Sequence, residues 1–155
     1  MSHAPDLSAA LGGAGLRVTG PRVAVLRTLH DHPHADAADL VRLTRQHDRG
    51  ISVQGVYDVL GRLTESGLVR RIQPAHSVAR YELDQGDNHH HVVCRGCGTL
   101  VDVPCSTGAR PCLDPGPDLP SGFQLDEAEV IYWGRCPGCR ATTASPSIPT
   151  PKEKA

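Results

Sequence analysis

Hydrophobic residues recur at intervals of three and four along three segments in the first half of the chain. The first segment follows Pro21 and ends near His30, the second covers 36–47, and the third begins after Ser52. This spacing predicts three amphipathic helices, each with one face turned toward a core. The third has the clearest period, with apolar residues at Val53, Val56, Val59, Leu60 and Leu63. Ser52 is suited to cap its start, and Gly67 to end it in the left-handed conformation.

Two short segments typical of β-strands, 68–73 and 78–83, follow these helices, and residues 74–77 form a turn between them. They predict a hairpin. Three helices followed by a hairpin is the order of a winged helix-turn-helix, whose third helix enters the major groove of DNA. An ordinary helical domain that carries a hairpin has the same order, so the pattern alone leaves that alternative open.

The start of the third predicted helix carries side chains that can contact DNA bases. Gln54 can bond in bidentate fashion to adenine, and the ring of Tyr57 can pack on thymine methyl groups. Arginines could contact the DNA backbone or the minor groove, although each is equally explained as a solvated surface charge. The predicted DNA-binding residues are Arg17, Arg22, Ser52, Gln54, Tyr57 and Arg62.

The second half of the chain changes to short strands separated by a segment rich in proline and glycine. The expected strands are 89–93, 99–103 and 125–133, and the segment 104–122 cannot hold a long helix. We therefore predict an α+β protein with a winged-helix DNA-binding domain over 1–84 and a second, α/β domain over 85–140. Residues 141–155 have the composition of a disordered tail.

Two Cys-x-x-Cys pairs stand in this second domain, Cys94–Cys97 and Cys136–Cys139. Each pair places two sulfurs at the tip of a tight turn, and two such turns complete a tetrahedral zinc site with no open position. Disulfides or redox-active pairs are the alternative. No secretion signal and no thioredoxin-like context favours them here. The pattern indicates a structural Zn²⁺ ion.

A second group of metal-binding residue types lies just before the first cysteine pair. In a strand, His89 and His91 share a face while His90 points away. Asp102 on the returning strand could reach the same side, and Glu82 and His32 lie upstream. Imidazoles with carboxylates make a mixed site suited to Fe²⁺, Mn²⁺ or Zn²⁺. A solvated histidine run is the alternative.

The overall composition narrows the class of protein. The chain is 39% hydrophobic with a net charge of −1, and residues 1–85 hold ten arginines against nine acidic residues. Nucleic-acid binding would therefore need a local patch. No apolar run approaches the roughly 20 residues of a membrane span, and the N-terminus lacks the pattern of a secretion signal. We expect a cytoplasmic protein with no membrane partner, whose six cysteines serve metal or redox chemistry.

Four motifs together resemble the ferric uptake regulator family over residues 7–140. They are Leu16–Arg22, Val56–Leu60, the His-His-His-x-x-Cys-x-x-Cys run from His89 to Cys97, and the closing Cys136-x-x-Cys139. Within the family the chain most resembles the peroxide-responsive branch of actinobacteria that controls catalase-peroxidase. That resemblance lies in the pair Cys105 and Cys112, the short loop around them, and segment 126–133.

The resemblance implies a homodimer, built on the C-terminal strands, that binds double-stranded operator DNA when a regulatory Fe²⁺ or Mn²⁺ is bound. It also implies the ligands His32, Glu82, His89, His91 and Asp102, with Asp84 as a competitor for the place of Glu82. Asp102 is the form found in the family's peroxide sensors, where a ligand histidine is oxidised at iron.

Two positions depart from the family's pattern. Asp58 stands where many relatives have arginine, which alters the expected DNA contact, and Ala128 stands where some relatives have a histidine of a third metal site. We therefore expect two metal ions per subunit. Oxidation of Cys105 and Cys112 is a second possible switch, and inert packing under the loop or a further zinc contact is the alternative role for these two cysteines. With Arg110 as the one nearby cation, we expect only weak thiol activation.

The sequence thus predicts a peroxide-released repressor rather than an enzyme, with no small-molecule substrate. The nearer alternative is an iron- or zinc-sensing uptake repressor of the same family. The alternative from another class is a zinc metalloenzyme with His89 and His91 as ligands. A His-Glu-x-x-His helix and a nucleophile elbow are both missing from the sequence.

Overall fold

The computed structural model describes residues 6–108, 112–113, 116–125 and 128–141. The chain divides into two compact units, Met1–Asp87 and Asn88–Ala155. Of the predicted tail, Ala141 ends a helix and 142–155 lie outside the described residues, as do Arg110 and 126–127. No helix in the described part of the chain has the length and apolar character needed to cross a membrane.

The described residues of the first unit form four helices and a small sheet. The helices are α1 (Leu7–Gly13), α2 (Gly20–Asp31), α3 (Ala37–His47) and α4 (Val53–Glu65). The strands are β1 (Ala35–Asp36), β2 (Val69–Ile72) and β3 (Arg80–Leu83), in the order β1-β3-β2 with antiparallel pairing. Helices α2 to α4 followed by the β2–β3 hairpin are the predicted winged helix-turn-helix.

The capping residues explain where these helices begin. Asp36 accepts a hydrogen bond from the backbone N–H of Asp39 at the start of α3, and Ser52 accepts one from Gly55 at the start of α4. Gly67, with φ of 74°, follows the end of α4 in the left-handed conformation that glycine adopts without strain. The predicted caps are confirmed.

One apolar core holds the first unit together. The buried face of α4 consists of Val56, Leu60 and Leu63, which pack with Val25, Leu26 and Leu29 of α2. This packing also fixes which side of α4 faces solvent, because residues on the helix face opposite the buried stripe point outward.

The described residues of the second unit form a three-stranded sheet, a single-turn 3₁₀ helix (Gly116–Asp118) and a short α-helix. Its strands are β4 (His89–Cys94), β5 (Leu100–Pro104) and β6 (Ile131–Gly134), and its α-helix is α5 (Pro137–Ala141). Central strand β4 pairs antiparallel with β5 and parallel with β6. The predicted strand over 125–133 is shorter than expected: among its described residues, only 131–133 are paired, and β6 continues to Gly134.

Candidate metal centres and nucleic-acid interface

The structure brings the sulfurs of Cys94, Cys97, Cys136 and Cys139 together, all within 4.8 Å of one another. The first pair begins at Cys94, the last residue of β4, and the second begins at Cys136, just before α5. Parallel pairing of β4 with β6 sets Cys94 opposite Gly134 and so brings the two turns to the same end of the sheet. The Sγ atoms of Cys97 and Cys136 are 3.8 Å apart, close to the separation of two thiolates on one zinc ion.

Gly96 is the residue that allows these two turns to meet. A Cβ at this position would lie 2.7 Å from the Sγ of Cys139 and 2.9 Å from its Cβ. Gly138, in the other turn, has far more room, since its nearest neighbour would be the Sγ of Cys136 at 4.0 Å. The cluster therefore fits closely around the glycine of the first pair.

The thiols of this cluster do not ionise alike. Hydrogen bonds, the largest from the backbone of Cys136, lower the pKa of Cys94 to about 6. The contact with Thr99 lowers the pKa of Cys97, whereas the contact with Cys136 raises the pKa of Cys139 to about 12. Four adjacent sulfurs cannot all carry negative charge without a cation, and a divalent ion at their centre supplies it.

His89 and His91 face the same side of β4, as alternation in a strand requires. The Nε2 atoms of His89 and His91 lie 3.7 Å and 3.5 Å from Oδ1 of Asp102. His91 stands directly opposite Asp102 in the β4–β5 register. Within the second unit, three of the predicted regulatory ligands are thus gathered into one group, with Asp102 half exposed.

In the first unit, Glu82 meets His34 rather than the predicted His32. The Nε2 atom of His34 lies 2.9 Å from Oε2 of Glu82, whose side chain is 5% exposed. His32 is an exposed residue at the end of α2. His34 is not among the ligands predicted from the sequence. Pairing of β1 with β3 gives it this place, since its backbone N–H donates to the carbonyl of Tyr81.

Arg70 bridges the carboxylates of Glu82 and Asp84. Its guanidinium lies 3.3 Å from Oε1 of Glu82 and 3.0 Å from Oδ1 of Asp84. Asp84 Oδ1 also accepts a hydrogen bond from the backbone of Gly86. Of the two carboxylates, only Glu82 has a hydrogen bond to a histidine among the contacts within the first unit.

His90 points to the opposite side of β4, where it meets the remaining cysteines. Its Nε2 atom is 3.4 Å from the Sγ of Cys112, and Cys105 belongs to the same group. A hydrogen bond to Thr107 is the largest cause that lowers the pKa of Cys105 to about 6. The expectation of weak thiol activation is therefore wrong for Cys105, because a neighbouring hydroxyl supplies what a cation would otherwise supply.

The exposed side of α4 and its N-cap carry four of the six predicted DNA-contacting residues. Ser52 and Gln54 are exposed, and Tyr57 is 47% exposed. Gln54 donates to the carboxylate of Asp58 at 2.8 Å. Asp58, where the chain departs from the family's pattern, therefore holds the side chain of Gln54 on the exposed side of α4.

The predicted arginines lie at the surface in different settings. Arg62 pairs with Glu65 at 3.1 Å on the exposed side of α4. Arg22 donates to the backbone carbonyl of Arg17 at 2.7 Å, which ties the start of α2 to the segment before it. Arg17 itself is exposed.

A winged-helix unit, a four-cysteine cluster and histidine-carboxylate groups define a metal-binding transcriptional regulator. The model of the ferric uptake regulator family matches residues 13–107. The chain belongs to this family.

Comparison with known proteins gives the same result. The transcriptional regulator FurA of Mycobacterium tuberculosis is 54% identical over 149 residues, covering 96% of this chain and all of that protein. The ferric uptake regulator of Vibrio cholerae has a similar structure, with a TM-score of 0.63 and 26% identity over 84% of this chain and all of that one. The ferric uptake regulator of Pseudomonas aeruginosa with manganese matches with a TM-score of 0.63 and 25% identity, over 86% of this chain and 99% of that one.

Proposed function

We propose that the chain is a homodimeric, metal-dependent transcriptional repressor that binds operator DNA in the cytoplasm and is released by peroxide. The observation that carries the proposal is the convergence of His89 and His91 on Asp102, on a protein whose first unit is a winged helix-turn-helix. Membership of a family of transcriptional regulators favours this function over a metalloenzyme.

Helix α4 is the proposed recognition element. Its buried stripe anchors it to the core, while Ser52, Gln54 and Tyr57 remain exposed near its N-terminus. A recognition helix contacts base edges with its N-terminal residues, and helix N-termini favour phosphate. Arg17, Arg22 and Arg62 are proposed to contact the DNA backbone, where charge contributes affinity rather than sequence preference.

The regulatory ion, Fe²⁺ or Mn²⁺, is proposed to take its ligands from five side chains: His34, Glu82, His89, His91 and Asp102. This set replaces His32 with His34, because His34 is the histidine that contacts Glu82. Two or more imidazoles with carboxylates suit these metals. The support for this ligand set is the contacts within each unit: His34 with Glu82 in the first, and His89 and His91 with Asp102 in the second. A ligand set drawn from both units would make metal binding restrict the orientation of the DNA-binding units, which must match operator half-sites.

The four-cysteine cluster is the proposed structural zinc site. Its four sulfurs supply every position of a tetrahedral zinc ion, so no place is left for substrate. Structural zinc contributes about 10–16 kcal/mol of binding free energy in small domains, and we expect the second unit and the dimer to depend on it.

Peroxide is the proposed signal that releases the protein from DNA. A bound Fe²⁺ ion would activate peroxide, and the ligand histidine that becomes oxidised would supply the two electrons that reduce it. His89 or His91 would then take up one peroxide oxygen in place of a ring hydrogen, and the second oxygen would leave as water. The aspartate at 102, half exposed between the two histidines, supports this form of sensing. An uptake repressor that senses iron or zinc is the alternative.

A gel-shift assay on the promoter of the protein's own gene tests the function. Wild type should retard the fragment in Mn²⁺ and release it after chelation, whereas His91→Ala should keep its structural zinc and lose the metal effect. His30→Ala, at an exposed position in the last turn of α2, is the matched control. Equal retardation by wild type with and without metal would contradict the proposal.

The peroxide step needs a separate experiment. A Cys105→Ser/Cys112→Ser protein loaded with Fe²⁺ is treated with peroxide. Release from DNA, with the mass of one oxygen atom added to the peptide of His89 or His91, is the expected result. If this variant stays bound while wild type dissociates and thiol reductant restores wild-type binding, oxidation of the two cysteines is the switch instead.

A further inference from the structure

The side of β4 that faces away from Asp102 carries a third group of metal-ligating side chains. His90 is paired with Val103 across the β4–β5 ladder. Two residues beyond Val103, Cys105 returns to the same face, and its backbone N–H donates to the carbonyl of Asn88 at 3.3 Å. Strand alternation therefore places the His90 imidazole and the Cys105 thiol on one side, apart from His89 and His91.

Cys112 completes this group. Its Sγ lies 3.4 Å from Nε2 of His90, and one donor atom from each of His90, Cys105 and Cys112 lies within 4.8 Å of the other two. Bonds of about 2.0–2.3 Å at tetrahedral angles separate two ligand atoms of a zinc ion by roughly 3.5–4 Å. The group therefore reaches ligand geometry with small side-chain rotations and no movement of the strands.

Burial prepares these side chains for a ligand. His90 is 8% exposed, and the cysteines are half buried. The His90 ring is also held edge-on to Tyr132 of β6, with the centroids 6.2 Å apart. A buried imidazole beside two thiols offers one nitrogen and two sulfur donors. Such a donor set binds thiophilic metal ions in preference to Fe²⁺ or Mn²⁺.

We propose that His90, Cys105 and Cys112 form a third metal site, which binds Zn²⁺ with a water molecule in the fourth position. Binding would release the protons of the two thiols as the ion replaces them. The open position distinguishes this site from the closed four-cysteine cluster and makes its ion more readily exchanged. The expectation of two metal ions per subunit would then change to three.

The observations favour a metal site over a disulfide between Cys105 and Cys112. A disulfide uses two sulfurs and gives no role to the third donor. In this structure, however, the imidazole nitrogen is in direct contact with a thiol, and it comes from the central strand of the sheet. The site stands independently of the proposed DNA binding, since it uses none of the residues assigned to the regulatory ion.

Cobalt titration of the reduced full chain, prepared with one equivalent of Zn²⁺ so that only the four-cysteine cluster is filled, tests the proposal. Co²⁺ bound by thiolates gives a charge-transfer absorption that histidine-carboxylate sites lack. Wild type should gain this absorption with one equivalent of Co²⁺ at the new site, and Cys105→Ser/Cys112→Ser should lose it. His90→Ala should weaken Co²⁺ binding by at least tenfold, while the control His30→Ala should match wild type.

The double variant also corrects for metal exchange at the four-cysteine cluster, because it retains all four of those cysteines. The same absorption in wild type and in the double variant would overturn the proposal. So would its absence in wild type whose Cys105 and Cys112 react as free thiols. Formation of a Cys105–Cys112 disulfide under saturating Zn²⁺, seen as the loss of two hydrogen masses, would assign the pair to redox chemistry instead.

Discussion

At Gly96, the four-cysteine cluster leaves no space for a side chain. A methyl group there would have to displace Cys139, whose Sγ would lie 2.7 Å away. Gly96→Ala should therefore weaken zinc binding, since overpacking of this kind costs about 1–3 kcal/mol. That cost corresponds to roughly 5- to 150-fold in affinity. Competition with a chromophoric chelator measures it.

Gly138→Ala is the matched control, because it adds the same methyl group to the other Cys-x-x-Cys turn, where the nearest atom is 4.0 Å away. Its zinc affinity should stay close to wild type. Equal zinc affinity in both variants would contradict the close fit around Gly96.

The choice between His32 and His34 is a second test at the scale of single residues. His34→Asn should lower Mn²⁺ affinity by at least about 10-fold, a loss that follows even from disturbing an outer-shell partner of a metal ligand. Asparagine suits this position because His34 has φ of 63°, which asparagine tolerates better than most residues. Isothermal titration with Mn²⁺ provides the measurement.

His32→Asn should bind Mn²⁺ as wild type does. If His32→Asn instead loses the ion while His34→Asn retains it, the original assignment from the sequence is correct and His34 serves only to hold Glu82.

The sequence named the types of ligand but passed over His34 for a physical reason. Both histidines flank Pro33 after α2, and spacing cannot distinguish them. His34 is placed by β1, a strand of two residues paired with β3. No periodicity exists over two residues, so the contact depends on tertiary pairing rather than on any local pattern.

At the scale of elements, α4 combines a buried and an exposed face on one helix. Leu60→Ala should lower the free energy of unfolding of the first unit by about 2–5 kcal/mol, because Leu60 is only 1% exposed within the core. Val53→Ala on the same helix should change it by less than about 0.5 kcal/mol, since Val53 is 47% exposed. Urea denaturation monitored by circular dichroism distinguishes the two. Equal losses would mean that the helix packs differently.

Elements long enough to repeat a hydrophobic pattern were predictable from the sequence, and very short elements were not. The three helices followed from their spacing, and the two ends of α4 followed from Ser52 and Gly67. Alternation along β4 also indicated that His89 and His91 share one face. The length of strand β6 was overestimated, because an apolar segment in the sequence does not reveal where pairing with β4 begins.

At the scale of the whole molecule, the two units carry different chemistry. The first unit holds the proposed DNA-reading helix, and the second holds the cysteine cluster and, on opposite faces of β4, two further groups of donors. The sequence suggested the roles of the DNA-reading helix and of the cysteine cluster. It linked Cys105 with Cys112, but it gave no sign that His90 joins them, because Cys112 lies 22 residues away from His90.

Metal binding and DNA binding are proposed to be coupled in this protein. Coupling free energies between sites are typically 1–3 kcal/mol, so Mn²⁺ should tighten operator binding by about 5- to 150-fold. Thermodynamic linkage then requires operator DNA to tighten Mn²⁺ binding by the same factor. The decisive measurement is the affinity for each partner with and without the other, by fluorescence anisotropy for DNA and calorimetry for Mn²⁺. Matching increases are the predicted result, and an operator affinity that Mn²⁺ leaves unchanged would contradict the account.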